Sequence, residues 1–179
     1  MAYFLLAIAL IVLFLVQSVV LSPFGLWFPT RPDLLLLFVI GWTLAFGPGM
    51  GLAAAVVSGL LLDSASAAPM GSHVLASVFV VPLALFFERQ RVASKTLFIG
   101  GLVVLATALY YVILLGARAI SGAGVDLSGH LFYVVVPTAL TNLVVCPLFI
   151  LGAEALAGRT GARMRAGSGL TQPVSRGEV

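Results

Sequence analysis

The chain has 179 residues, of which 61% are hydrophobic and only 8% charged, with a net charge of +3. A soluble domain carries about a quarter charged residues, so a water-soluble globular protein is excluded and most of this surface must face lipid. The same scarcity of charge removes nucleic acid as a partner, because the small positive excess is explained by topology and by a basic end of the chain.

Six apolar segments separated by charges or by Gly, Pro and Ser predict an all-α integral membrane protein with a bundle of about six transmembrane helices, over 3–21, 33–46, 49–63, 72–88, 97–117 and 130–153. The first segment lacks a basic flank and a small-residue cleavage site, so it reads as a retained helix rather than a signal peptide. Before the second, Trp27, Phe24 and Phe28 suit a headgroup-depth interface. Segments two, three and four are shorter than the roughly 20 apolar residues that cross a 30 Å hydrocarbon core, which predicts that flanking residues lengthen them or that the bilayer thins. Gly47-Pro48-Gly49 predicts a tight turn between segments two and three.

Gly47, Gly51, Ala55 and Gly59 form a four-residue stripe of small side chains on the third segment, the pattern that lets helices approach closely within a membrane. Pro82, Pro137 and Pro147 each remove a backbone donor inside a span and predict kinks there. Gln17, Thr138, Thr141 and Asn142 predict interhelical hydrogen bonds in a satisfied bundle interior.

Arg89, Arg91 and Lys95 lie between segments four and five, and Arg159, Arg163, Arg165 and Arg176 follow segment six. Lys and Arg resist translocation, so both termini are expected in the cytoplasm, with outer connections at 22–31, 64–72 and 118–130. Residues 158–179 are expected to form a flexible basic cytoplasmic tail drawn to anionic headgroups. Arg31, Asp33, Asp63 and His73 then fall near the outer ends of their helices. Ionisable groups at membrane depth need partners, and an Arg31–Asp63 or Asp63–His73 pair would tie three helices together. Asp33, directly after Pro32, is also placed to cap a helix N-terminus.

Chemistry is weakly represented. Ser58-Gly59 lacks the first glycine of a Gly-x-Ser-Gly turn and sits at a different membrane depth from His73, which argues against a serine protease. A metal site from Asp33, Asp63, His73 and His130 has no ligand spacing to support it. Cys146, the single cysteine, can form neither an intrachain disulfide nor a cysteine metal cluster. No enzymatic activity, metal or cofactor is expected.

The run Arg31-Pro32-Asp33-Leu34-Leu35-Leu36-Leu37, with Trp42 beyond it, then Gly47-Pro48-x-x-Gly51, Gly59-Leu60-Leu61-Leu62-Asp63 and Pro69-Met70-Gly71-Ser72-His73, resembles the MreD family of rod shape-determining proteins. The resemblance implies a non-enzymatic scaffold of the bacterial elongation machinery in the plasma (inner) membrane. It would bind MreC and, indirectly, MreB, RodA and a class B penicillin-binding protein, and so help control cell shape and lateral peptidoglycan synthesis. Motif membership singles out Arg31, Pro32, Asp33, Asp63, Gly71 and His73 as partner or integrity candidates, and the stripe adds Gly51, Ala55 and Gly59 for helix packing. MreD-like proteins are in turn similar to the substrate-binding subunits of energy-coupling-factor vitamin transporters, the alternative function; the Ala-x-x-x-Ala docking motif usual on their first helix is absent, since Ala2, Ala7 and Ala9 have the wrong spacing.

Overall fold

A computed structural model describes residues 2–20, 31–89, 95–122 and 127–167. The described residues form six main helices and no strand. Helix α1, Ala2–Leu15, runs on into a π turn at Val16–Val20. Helix α2 is Leu34–Phe46, α3 is Pro48–Ala65, α4 is Ser72–Arg89 and α5 is Lys95–Ile120. A single helical turn, Leu127–His130, and a π turn, Leu131–Val135, lead into α6, Val136–Gly167. Trp27, Phe24, Phe28, Arg91 and Arg176 lie outside the described residues, as does the end of the chain from 168 onward.

Helices α3 to α6 are long and apolar enough to cross a membrane, whereas α1 and α2 are shorter apolar helices; of segments two, three and four, all expected to be short, only the second is, while flanking residues lengthen α3 and α4 to 18 residues each. The reason lies in where α2 sits. At 1.5 Å per residue its 13 residues reach about 20 Å, well short of a hydrocarbon core. Every residue from Leu34 to Thr43 is buried, and α2 packs against α1, α3, α4, α5 and α6. A helix that is apolar all round belongs inside protein, and α2 is the axis around which the others close.

Two clusters share that axis. Leu36, Leu37 and Ile40 face α4, α5 and α6 through Val80, Val103, Ala106, Tyr110 and Ile150. Leu35, Val39 and Trp42 face α1 and α3 through Leu6, Leu10, Ala54 and Ala55. Trp42 stacks between Phe38 and Phe46, with ring centroids 4.9 and 4.3 Å apart, yet its buried Nε1–H meets no acceptor among the described residues. Trp42→Phe keeps a ring in the stack and removes the orphaned donor. Its melting temperature in detergent is expected to stay at or above the wild-type value, and a clear drop would mean that the indole nitrogen has an acceptor.

The turn between α2 and α3 is made by Gly47 at φ 84°, a left-handed conformation that favours glycine, followed by Pro48 in the first turn of α3. The small-residue stripe faces two helices. A β-carbon on Gly51 would overlap the Thr43 side chain of α2, and one on Gly59 would lie 2.6 Å from the backbone nitrogen of Val74 in α4. Ala55 between them is fully buried.

Two stretches depart from expectation. Residues 158–167 are helical and extend α6, so that part of the expected flexible tail is corrected; Ala162, Arg163, Met164, Arg165 and Ala166 are good helix formers that outweigh the glycines. Pro137 was expected to kink a span, and a π turn precedes it instead. Proline cannot donate to the carbonyl four residues back and its ring crowds that carbonyl, so the preceding turn widens.

Candidate functional site

Many of the bundle's polar side chains gather at one end, where α1 finishes, α2 begins, α3 finishes and α4 begins. Two helix N-termini therefore open there, each with backbone N–H groups that the helix itself leaves unpaired.

At α2 these groups are met by three different elements. The Asp33 carboxylate accepts from Leu36 N at 3.2 Å, as an N-cap. Gln17, in the π turn after α1, accepts from Leu35 N at 3.1 Å through Oε1 and donates through Nε2 to Asp33 Oδ1 at 3.3 Å. Asn142, fully buried on α6, accepts from Asp33 N at 2.7 Å and donates to Thr107 of α5 at 3.1 Å, while the Thr107 hydroxyl donates to Val103 O at 2.8 Å. This chain of bonds fastens α1, α2, α5 and α6 at one level. The sequence singled out Gln17 and Asn142 as interhelical donors but missed Thr107; the available signal was Thr107, Tyr110 and Tyr111 at helical spacing on an otherwise apolar segment.

At α4 the cap comes from another helix. Asp63, near the end of α3, accepts from Gly71 N and His73 N at 3.0 Å each and from Val74 N at 3.4 Å. A carboxylate at the positive end of a helix macrodipole is stabilised, and here three orphan donors converge on one side chain that is 4% exposed. Gly71 approaches it at φ 89°, again a glycine conformation, and Ser72 Oγ donates to Pro69 O at 2.7 Å to close the turn. The Asp63–His73 tie thus runs through the His73 main chain. Its ring is joined instead to α5, with Nδ1 2.7 Å from the Tyr110 hydroxyl.

Above these two caps is a cleft of about 250 Å³. Arg31, Pro32, Asp33 and His73 line it together with Gln17, Ser18, Ser66 and Tyr111, so four of the singled-out motif residues share one small space. Asp63 and Gly71 lie beneath it as part of the α4 cap, and Gly51, Ala55 and Gly59 are packing positions away from it. Arg31 is exposed and pairs with no carboxylate among the described residues, so the Arg31–Asp63 pair is absent there.

The Ser58 hydroxyl donates to Ala55 O at 3.1 Å within its own helix, and the His73 Nδ1 is engaged by Tyr110. Among the described residues no three His, Cys, Asp or Glu side chains are placed to hold a metal ion. The arrangement holds helix ends together and presents an Arg, a buried carboxylate and an imidazole to one cleft.

Comparison with known proteins gives one match. A family model described as rod shape-determining protein MreD matches residues 1–157. No curated protein and no solved structure matches, and the expected likeness to energy-coupling-factor subunits has no support from either.

Proposed function

The chain belongs to the MreD family of rod shape-determining proteins, and from that premise we propose that this multi-pass membrane protein is a non-enzymatic scaffold of the bacterial elongation machinery. The single observation that carries the reading is the family match, which covers residues 1–157 and so takes in all six helices up to the last part of α6. In this reading the protein binds MreC and, through it, MreB, RodA and a class B penicillin-binding protein, and so helps set where the lateral wall is made.

The structure is compatible with a binding role in a specific way. Its polar side chains are spent on helix ends: Asp63 on α4, Asp33 and Gln17 on α2, Asn142 between α5 and α6. Outward-facing positions of α6, among them Val144, Leu148 and Leu151, are large and apolar, a surface suited to lipid or to the side of another apolar helix. A single-span partner has a continuous apolar face to dock against.

The test is cell shape. A rod-shaped host lacking this gene product should round up and regain rods when the chain is supplied; normal rods without it would contradict the reading. Placement in the plasma membrane with both termini in the cytoplasm belongs to the same proposal. Cysteines introduced at Gly124 and Ser168, both outside the described residues, should be labelled from outside at Gly124 alone; the reverse pattern would invert the topology.

A further inference from the structure

The cleft between Arg31 and His73 contains a carboxylate that the fold uses through one oxygen only and a guanidinium that it leaves unpaired among the described residues. Asp33 is 6% exposed, and both hydrogen bonds to its carboxylate, from Leu36 N and from Gln17 Nε2, fall on Oδ1. Oδ2 has no donor among the described residues, in a side chain that lines the cleft. The carboxylate is buried as a residue and meets water only through the cleft it lines, so a cation with N–H donors placed there suits this oxygen best. Two residues earlier, Arg31 stands exposed on the same cleft with no hydrogen bond or ion pair among the described residues. Asp63 does not pair with it; both of its oxygens accept from the backbone at the start of α4.

A matching ligand therefore carries a positive group with N–H donors for Asp33 and a negative group for Arg31, joined by a short spacer. Depth narrows the class further. The cleft lies where α3 ends and α4 begins, and both are long and apolar enough to cross a membrane, which puts it at the level expected for lipid headgroups. Phosphoethanolamine meets each requirement. Phosphocholine has the same two charges but three methyl groups in place of the N–H donors, and phosphoglycerol has the phosphate without the cation.

We propose that this cleft binds the headgroup of a phosphatidylethanolamine molecule, with its ammonium donating to Asp33 Oδ2 and its phosphate paired with Arg31. The pairing is independent of which protein partner the chain binds.

The experiment uses the full chain purified in mild detergent and mixed with phosphatidylethanolamine, phosphatidylcholine or phosphatidylglycerol of identical acyl chains, read by native mass spectrometry and by thermal unfolding. Wild-type protein should retain phosphatidylethanolamine over both others and be stabilised by it. Asp33→Asn, which keeps an oxygen to cap α2, should lose the preference for the ethanolamine lipid. Arg31→Gln, at an exposed position, should lower retention of phosphatidylethanolamine and phosphatidylglycerol alike, and it carries the test if Asp33→Asn folds poorly. Glu88→Gln, at the opposite end of α4, should change neither. Equal retention of the three lipids by wild type, unchanged retention in Arg31→Gln, or a preference that survives Asp33→Asn would overturn the assignment. So would weakened capture of a protein partner by both cleft variants in protein that shows no lipid preference, which would make the cleft a protein-docking site.

Discussion

Gly59→Leu is expected to abolish most folded protein in detergent, with a destabilisation of about 3 kcal/mol or more. The obstacle is main chain: even a β-carbon at this position would meet the backbone of His73 and Val74 at the start of α4. A flexible side chain could step aside, but moving this backbone would pull Gly71, His73 and Val74 away from Asp63 and undo the α4 cap. Gly101→Leu is the control, since Gly101 is exposed on α5 with nothing within 4 Å of its β-position. Unfolding curves and monodisperse yield should separate the two variants clearly. If Gly59→Leu melts with wild type, α3 and α4 do not meet at this point.

Asp63→Ala should cost about 2 kcal/mol, because it removes the one side chain that accepts from the part-buried N–H groups of Gly71, His73 and Val74. Asp63→Asn retains one acceptor oxygen and should recover a substantial part of that loss, ranking between alanine and wild type. A role as a mere charge at the interface predicts another order, with Asn and Ala equally impaired. The ranking of three melting temperatures decides between them, and equal melting of Asp63→Ala and wild type would remove the cap from the account.

The readable and unreadable parts of the sequence divide along physical lines. The positions of the helices followed from apolar run length and from punctuation such as Gly47-Pro48, because a helix end in or near lipid must be marked by residues that satisfy or omit backbone donors. What α2 does was hidden. Leu34 to Leu37 look the same to a hydropathy scale whether they face lipid or protein, and only packing reveals α2 as the enclosed axis. Asp33 was legible as an N-cap because its acceptor role is local, three residues away. Asp63 was legible as a side-chain partner for Arg31 or His73 and not as a cap, because its partners, the backbone N–H groups of Gly71, His73 and Val74, lie at the next helix and depend on how the connection at 66–71 folds back. Thr107 and Tyr110 were missed for a related reason: an isolated polar side chain in a long apolar run shows its meaning only once Asn142 and His73 are brought opposite. The helical extension of α6 through Gly167 was masked by glycines that suggested a tail.

The cleft follows from the same two caps. His73 is far enough in sequence from Arg31 and Asp33 that no spacing rule joins it to them, yet α2 and α4 start side by side and so place all three on one space. The caps set the fold, while the charges they leave over are available for recognition.

The most direct test of the scaffold claim is affinity purification of the tagged, full-length protein from its native membrane in mild detergent, with mass spectrometry of both proteins and small molecules. The account predicts recovery of an MreC-like protein together with cell-wall synthases. Recovery of coupling ATPases and a vitamin, without any such partner, would contradict it.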